Sequence, residues 1–479
     1  MFDHTQLRNL PALLNALEVQ TGNRILLKYM EDNGVSTMDS PAFFGYVRRC
    51  AAKLDALGLS GKHIGIMGAN RWQWMVHLCA VFEIGGVAVL LAPDLNAEDL
   101  TNRVNHADIA CILHDASIQA NIPDIMSVSM DEPLPDSESF RRADPEPDDL
   151  ACILFTSGTT AQSKAVAYTH KATIAGICHN IIGIPFRAQL AILPLHHIAG
   201  FASVLNTWYL NREICLGEDY KNLFRYLEAM KPDYTLTVPS LLQVILKRLK
   251  RGGDNGHLLG WDLHLIGCGG AQFQPDVIQA LNDKNIRVLQ SYGATEAGGL
   301  GFDWEMTPDC RDTIGKACKE VETKIVDGEL FLRCDSMMCC YYKDEAATRE
   351  VLIDGWYATG DLCTQDAEGY LRLTGRKKNL IILSNGENIS PEEIESKLSL
   401  CPEISEILIG VEKDRLCAHI YPASLLDENQ TAIHQFLDSY NRTVPTYKQI
   451  HLLHFYKEPF AKTQVGKMIR RSVTGGKQT

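Results

Sequence analysis

Apolar residues recur along this chain in two rhythms, and the rhythm changes with position. Residues 62–67, KHIGIM, form a short apolar run of the kind a buried strand shows. Trp72 to Phe82 has helical spacing, and Val87 to Leu91 is a second apolar run closed by Pro93. Such alternation over residues 1–150 predicts a parallel α/β layer. Residues 131–149, DEPLPDSESFRRADPEPDD, are rich in Pro and acidic side chains, which predicts an exposed connection. A second α/β region is expected beyond it, with strands near 151–156, 191–195, 234–238, 263–267 and 286–290 and a helix from Leu241 to Leu249. From Gly328 the pattern shortens into strand and turn units, including 328–332, the turn Asp354-Gly355 and 369–373, as in a small β-rich subdomain. After the charged Arg376-Lys377-Lys378, a helix capped at Ser390-Pro391-Glu392-Glu393 is mixed with short strands at 407–409 and 418–420. No internal repeat or low-complexity tract interrupts this order.

Composition narrows the picture. At 479 residues the chain exceeds the roughly 250–300 at which single cores stop growing, so more than one unit is required. A hydrophobic share of 46% and a charged share of 22% are those of an ordinary globular protein and set aside collagenous and largely disordered classes. The net charge of −13 gives no general attraction to phosphate backbones or anionic bilayers, so a nucleic-acid partner is not expected. Fifteen cysteines, an odd number at irregular spacing, read as reduced and mostly buried thiols. The opening stretch has no basic region followed by an apolar one. The longest apolar runs, 76–91 and 190–210, are broken by Glu83 and by His196-His197, so no membrane span is predicted and the expected location is cytoplasmic.

Candidate chemistry concentrates in a few segments. FTSGTTAQSKAVAYTH, from Phe155 to His170, leads from an apolar strand through hydroxyl residues and a Gly to Lys164. Hydroxyls, backbone N–H groups and a mobile cation together can bind phosphate oxygens. The pattern is not Walker A, since the second Gly before the Lys is missing and no Ser or Thr follows it. Gln290 to Glu296, QSYGATE, sets an aromatic face beside a carboxylate. Trp356 to Leu362, WYATGDL, places Asp361 after a Gly turn, where two oxygens could accept from two hydroxyls. Arg376, Lys377, Lys378 and Lys467 add cations. Taken singly, each has a bland reading: Tyr292 as a packed aromatic, Asp361 as a turn residue, Lys467 as a solvated charge. Their conjunction in this order is what those readings explain poorly.

In that order, FTSGTTAQSKA, LPLHHIAG, GCGGA at 267–271, SYGATE, GELFLR, GWYATGDL, GRKKNLIILSNGENISPEEIE and KTQVGKMIRR resemble the motifs of the adenylate-forming superfamily. That superfamily holds the acyl- and aryl-CoA ligases, peptide-synthetase adenylation domains and firefly luciferase. The resemblance implies a two-step reaction, in which a carboxylate attacks the α-phosphate of ATP and a thiol then displaces AMP from the acyl-adenylate. It implies an α/β fold with a large N-terminal AMP-binding domain, residues 1–376, of two α/β subdomains plus a small β-rich subdomain. A mobile α+β C-terminal lid, residues 377–479, would turn about a hinge at Lys378. By the same resemblance Lys467, His197 and Glu296 are catalytic, and Glu296 holds Mg²⁺. Thr156, Ser157, Gly158, Thr159, Thr160 and Lys164 cradle phosphates. Gly270, Ala271, Ser291, Tyr292, Gly293, Ala294 and Thr295 surround the nucleotide base. Asp361 takes the ribose hydroxyls, Arg376 reaches ribose or phosphate, and Gly386, Glu387 and Asn388 line a tunnel for the pantetheine arm of CoA.

The match departs from the family at the phosphate loop, where Ala161, Ser163 and Ala165 stand in place of the usual Gly, Pro and Gly. A position needing positive φ would make Ala cost on the order of 1 kcal/mol. Cys334 and Cys340 also replace common glycines in RCDSMMCCYY. An Asp that would pair with an α-amino group is missing from LPLHHIAG, which disfavours an amino-acid substrate. The leading reading is an ATP- and Mg²⁺-dependent carboxylate–CoA ligase acting on a small-molecule carboxylic acid. A rival reading loads a separate acyl carrier protein, and another from a different class is a non-catalytic nucleotide- or acyl-binding descendant; a luciferase-like oxygenase shares the same motifs.

Overall fold

A computed structural model describes residues 6–118, 122–156, 163–179, 185–251, 262–269, 275–298, 301–305, 313–384, 387–462 and 468–470. Two large sheets dominate. The first has seven strands in the spatial order Cys340–Tyr341, Ala165–Thr169, Leu150–Phe155, Val87–Leu91, His63–Met67, Ile109–His114 and Met126–Ser129. The second has eight, in the order Gly301–Glu305, Arg287–Gly293, Leu265–Gly269, Tyr234–Thr237, Ala188–Ala191, Glu213–Leu216, Ile25–Glu31 and Gly34–Asp39. Their central strands pair in parallel, and Val87–Leu91 among them is buried and apolar throughout, as a strand covered on both faces is.

The helices Leu10–Thr21, Ser40–Ala56, Trp72–Glu83, His170–His179 and Ile198–Tyr209 contribute to one shared core with both sheets. Ile64, Leu90 and Cys152 from the first sheet and Leu27, Ile214 and Leu216 from the second belong to the same apolar cluster. Trp208 sits at its centre, edge-on to Phe43 at 4.9 Å and stacked on Phe44 at 5.6 Å. The helix Ile198–Tyr209 is buried over nearly its whole surface, as an all-round apolar sequence requires.

The expected sequential division of the two α/β layers is corrected in two places. The hairpin of Ile25–Glu31 and Gly34–Asp39 joins the second sheet, where Leu27 lies beside Ile214. The strands Leu150–Phe155 and Ala165–Thr169 join the first, through Cys152 beside Ala88. A strand expected near 191–195 lies instead at Ala188–Ala191. Beyond it Pro194 offers no N–H, and the buried Asn70 side chain takes over, donating to the Leu193 carbonyl at 2.9 Å and accepting from the Leu195 N–H at 3.0 Å. The acidic connection is exposed but tied down, through Glu132 to Lys53, Glu138 to Arg48 and Arg142 to Glu83. Glu83, the charge that interrupts the apolar run of its helix, is thereby matched.

The β-rich part is a five-stranded sheet containing Glu322–Val326, Glu329–Arg333, Leu352–Ile353, Trp356–Gln365 and Leu371–Arg376. Asp354 and Gly355 both take positive φ, 51° and 76°, in the two-residue turn of its tight hairpin. The smaller C-terminal part has its own apolar cluster, built from the helices Pro391–Leu398 and Asp427–Thr443 under the strands Ile404–Glu412, Arg415–Pro422 and Ile450–Phe455. Ser390 caps its first helix, accepting from the Glu393 N–H. Among the described residues no helix is long and apolar enough to cross a membrane. The cysteines among them are unpaired thiols, most of them buried.

Candidate active site

The segments singled out by chemistry meet where parallel strands end. Ligands of open α/β sheets collect at the carboxyl ends of strands, where the backbone turns away. Leu150–Phe155 runs antiparallel to Ala165–Thr169, so the segment between them is a hairpin loop. Its neck is closed by the Thr156 N–H donating to the Lys164 carbonyl at 3.0 Å and by the Lys164 N–H donating to Thr156 Oγ1 at 3.3 Å. Ser157, Gly158, Thr159, Thr160 and Ala161 lie outside the described residues, as do Gly270, Ala271, Gly386 and Lys467. The expected backbone penalty does not apply at the two departures that are described. Ala165 is a strand residue opposite Phe155, and neither it nor Ser163 has positive φ.

Lys164 begins a run of contacts that ends at Glu296. Its ammonium sits 4.4 Å from the centre of the Tyr341 ring, and the Tyr341 hydroxyl donates to Glu296 Oε1 at 2.7 Å. Burial, then Glu296, pushes the Tyr341 phenol above its ordinary range, so it stays a donor. Glu296 stands in the short turn Thr295–Ala297, just after Ser291, Tyr292, Gly293 and Ala294. That turn is held from both sides: the Met338 N–H donates to the Glu296 carbonyl at 2.9 Å, and the Tyr168 hydroxyl donates to the Thr295 carbonyl. It ends at Gly298, whose φ of +75° and contact with Ser336 admit no side chain, since a Cβ would collide with the Ser336 carbonyl.

Tyr292 begins a second run, to the β-rich sheet. It is buried against Tyr357 and Leu371, and its hydroxyl donates to Asp361 Oδ2 at 2.6 Å. Asp361 Oδ1 lies 2.5 Å from Arg376 Nε, its cross-strand neighbour. The Asp361 N–H donates to Thr359 Oγ1 at 3.0 Å, and the Gly360 N–H to Glu329 Oε1 at 3.0 Å. Asp361 is buried, with only 4% of its surface exposed, and its charge is offset by the guanidinium. Sequence reasoning had no role for Tyr341. The only signal was its place in RCDSMMCCYY, in a strand that pairs with Ala165–Thr169 directly after the loop.

His196 and His197 head the helix Ile198–Tyr209, with His197 at its N-cap. Their ring centres are 4.3 Å apart, and the Nε2 atoms of both are buried without a hydrogen-bond partner. Burial, then His197 and Arg103, lowers His196 to about 3; burial, then Arg103, lowers His197 to about 4. Both imidazoles are therefore neutral near pH 7. Gly200 is required here because the Pro194 carbonyl occupies the space of a Cβ. Next to this loop a cavity of about 10 Å³ lies among Tyr168, Gly176, Ile177, Ile198, Phe201 and Gly298. At that size it admits about one water molecule, so a larger guest requires these side chains to part.

Lys378 lies in the exposed turn Lys377–Asn379, after the strand Leu371–Arg376. Glu387 and Asn388 are exposed beside the short strand Asn388–Ile389. The described residues on either side of 463–467 are anchored. Lys462 bridges to Met468, and the Arg470 guanidinium lies 2.5 Å from Glu395.

Residues 41–342 match the model of the family described as AMP-binding enzyme, and residues 378–475 that of the AMP-binding enzyme C-terminal domain. A 2-succinylbenzoate–CoA ligase of Enterococcus faecalis is 26% identical over 85% of this chain and 87% of its own length. One from Bacillus anthracis is 28% identical over 74% of this chain and 76% of its own. Among solved structures, the o-succinylbenzoate CoA synthetase of Bacillus subtilis in complex with its acyl-adenylate superposes with a TM-score of 0.83. It is 22% identical, over 98% of this chain and 99% of the other. An anthranilate CoA ligase in complex with anthranoyl-AMP gives 0.85 at 18% identity, covering 98% of each chain.

Proposed function

The chain belongs to the AMP-binding enzyme family as an ATP-dependent, AMP-forming acid–CoA ligase, and from that premise we propose that its acid is an apolar aryl carboxylate, activated at the site built around Glu296, Asp361 and His197. The observation that carries this reading is a pair of contact chains, Lys164 through Tyr341 to Glu296 and Tyr292 through Asp361 to Arg376, both rooted in the short segment 292–296. It gathers five distant sequence segments at one strand end.

Chemically, a carboxylate is a poor electrophile, and the first step must stabilise charge growing on the α-phosphate and the departing pyrophosphate. Lys164, with Thr156 and the Ser157 to Thr160 loop, supplies cation and N–H donors to the β- and γ-phosphates. Asp361, oriented by Tyr292 and Arg376, takes the ribose hydroxyls. Tyr292, Ser291, Gly270, Ala271, Gly293, Ala294 and Thr295 enclose the base. Glu296 fits a single-carboxylate Mg²⁺ site, because Tyr341 orients its carboxylate through one oxygen; the ion would supply charge neutralisation on the phosphates when bound. Lys467 bridges carboxylate and phosphate oxygens in the first step. The second step needs it removed and the thiol admitted, by rotation of residues 377–479 about Lys378 so that Gly386, Glu387 and Asn388 line the path of the pantetheine arm.

The neutral His197 and His196 face the acid, and the apolar lining at Ile177, Ile198 and Phe201 suits a ring. No cation stands among the lining residues described. A second carboxylate, as in 2-succinylbenzoate, would meet no charge there, which is why a mono-acid is favoured. CoA is the acceptor that the relatives' names carry, in preference to a carrier-protein thiol.

The test is a panel of benzoate-type, 2-succinylbenzoate and fatty acids with ATP, Mg²⁺ and CoA, read for AMP and thioester by mass spectrometry. Apolar aryl acids are expected to give both products. AMP without a CoA thioester would favour the carrier reading, and no AMP from any acid would overturn the ligase. In a companion variant, Lys467→Ala is expected to abolish acid-dependent ATP–pyrophosphate exchange while sparing thioester formation from supplied acyl-adenylate; equal loss of both contradicts the role given to Lys467.

A further inference from the structure

The three-stranded C-terminal sheet packs one face on its helices, and on the other face Leu408, Cys417 and His419 are also buried. Ile407, Ile409, Leu416, Ala418 and Ile420 face the helices beneath. Alternate positions of the same strands point the opposite way, and on that outer face four metal-binding side chains collect at one end. Gly410 lies opposite Cys417, Glu412 opposite Arg415, and His419 beside His454 in the parallel neighbour. A carboxylate oxygen of Glu412, the Cys417 sulfur and a ring nitrogen of His454 all come within 4.8 Å of one another.

The contacts inside the cluster are closer still. His454 Nε2 is 3.0 Å from Glu412 Oε2, and His419 Nε2 is 3.4 Å from Cys417 Sγ. The two imidazoles stack with centres 5.0 Å apart at 21°. His419 Nδ1 is 3.0 Å from the Tyr456 hydroxyl, which orients its other ring nitrogen toward Cys417, an outer contact of the kind that positions a ligating side chain. Metal–sulfur and metal–nitrogen bonds of about 2.3 and 2.0 Å place tetrahedral ligand atoms about 3.3–3.8 Å apart, so the Glu412, Cys417 and His454 atoms, all within 4.8 Å of one another, would draw closer on binding. A thiolate with imidazoles and one carboxylate selects a borderline-soft divalent ion, whereas Mg²⁺ and Ca²⁺ take oxygen sets.

We propose that Glu412, Cys417 and His454, one from each of its three strands, form a three-ligand zinc-class site on the C-terminal sheet, with His419 beside Cys417 as a supporting neighbour and a water completing the coordination. Binding releases the Cys417 thiol proton to solvent and changes no oxidation state. The site is independent of the ligase reading and would persist in a chain that activated no acid.

The experiment uses the full chain, stripped with a chelator and titrated with Co²⁺, read by thiolate-to-cobalt charge-transfer absorption and by d–d bands. One equivalent is expected, displaced by Zn²⁺. Cys417→Ser is expected to abolish the charge-transfer band, and Glu412→Gln and His454→Gln, both at exposed positions, to weaken binding about tenfold or more with unchanged far-ultraviolet circular dichroism. Cys339 and Cys340, whose sulfurs lie 3.8 Å apart, are the competing soft site. A Cys339→Ser/Cys340→Ser double variant is expected to bind as the parent does. No band, or one that survives Cys417→Ser, or one lost only with Cys339 and Cys340, overturns the proposal. So does binding indifferent to Glu412→Gln and His454→Gln.

Discussion

Two polar regions of the large body treat their hydrogen-bonding atoms in opposite ways. In the Tyr292, Asp361 and Arg376 group the phenol hydroxyl and both carboxylate oxygens meet a protein partner. In the His196–His197 pair, both Nε2 atoms are buried with none. A buried polar atom left unmatched costs on the order of 1–3 kcal/mol, and folds tolerate few of them. The contrast separates a framework that is complete before substrate arrives from a surface that substrate completes.

Breaking the framework has the largest expected effect. Asp361→Asn removes the countercharge of Arg376 and leaves one acceptor oxygen where Tyr292 and Arg376 now use two. Acid-dependent ATP–pyrophosphate exchange is expected to fall about 100-fold or more, equivalent to about 2.7 kcal/mol, and the denaturation midpoint to fall with it. Full exchange activity in a folded Asp361→Asn protein would remove Asp361 from the nucleotide site. The histidine side should behave differently. His197→Leu takes away an atom that the fold does not use, so exchange is expected to fall about tenfold to 100-fold while stability moves by less than about 1 kcal/mol. Destabilisation as large as that of Asp361→Asn would mean that His197 belongs to the framework after all.

Acid sharpens the comparison further. His196 and His197 titrate at about 3 and about 4 in the fold, and burial lowers His77 and His170 to about 4 as well. An unfolded histidine titrates near 6.5. As pH falls from about 6.5 toward 4 the unfolded chain gains protons that the folded one refuses, so stability is complete above that window and drains within it. Each group contributes on the order of 2 kcal/mol of loss by pH 5. Urea midpoints between pH 7.5 and 5 measure the slope, and His197→Leu is expected to flatten it; an unchanged slope would place His197 in solvent.

The smallest expected effect concerns the loop. Because Ala165 is an ordinary strand residue, Ala165→Gly should leave the KM for ATP within about twofold and lower stability by about 0.5–1 kcal/mol. A markedly lower KM would show that the family's glycine matters there for another reason.

Much of this molecule was legible in its sequence because the signals were local. The apolar run at Val87–Leu91, the Ser390 cap and the Asp354-Gly355 turn each depend on residues within a few positions of one another. The order of Thr156, Lys164, Glu296, Asp361 and Arg376 likewise marked out a site, and the structure draws those described segments together. What was missed was contact across sequence distance: Asn70 seizing the loop before His196, Tyr341 bridging Lys164 to Glu296, and Arg142 crossing to Glu83. None of these pairs carries a spacing rule.

By itself the sequence determined the types of element and the family, since periodicity, capping and turn preference act over one or two turns of backbone and the motifs stand in order along the chain. Only the tertiary structure decided which sheet each strand entered, sending the hairpin at 25–39 to the second sheet and the hairpin at 150–169 to the first. Only it decided that Asp361 is matched while His197 is not. Apolar strands are nearly interchangeable in their local free energy, and the choice among partners is made by packing and by satisfying buried polar groups. Those terms exist only once remote segments share a core.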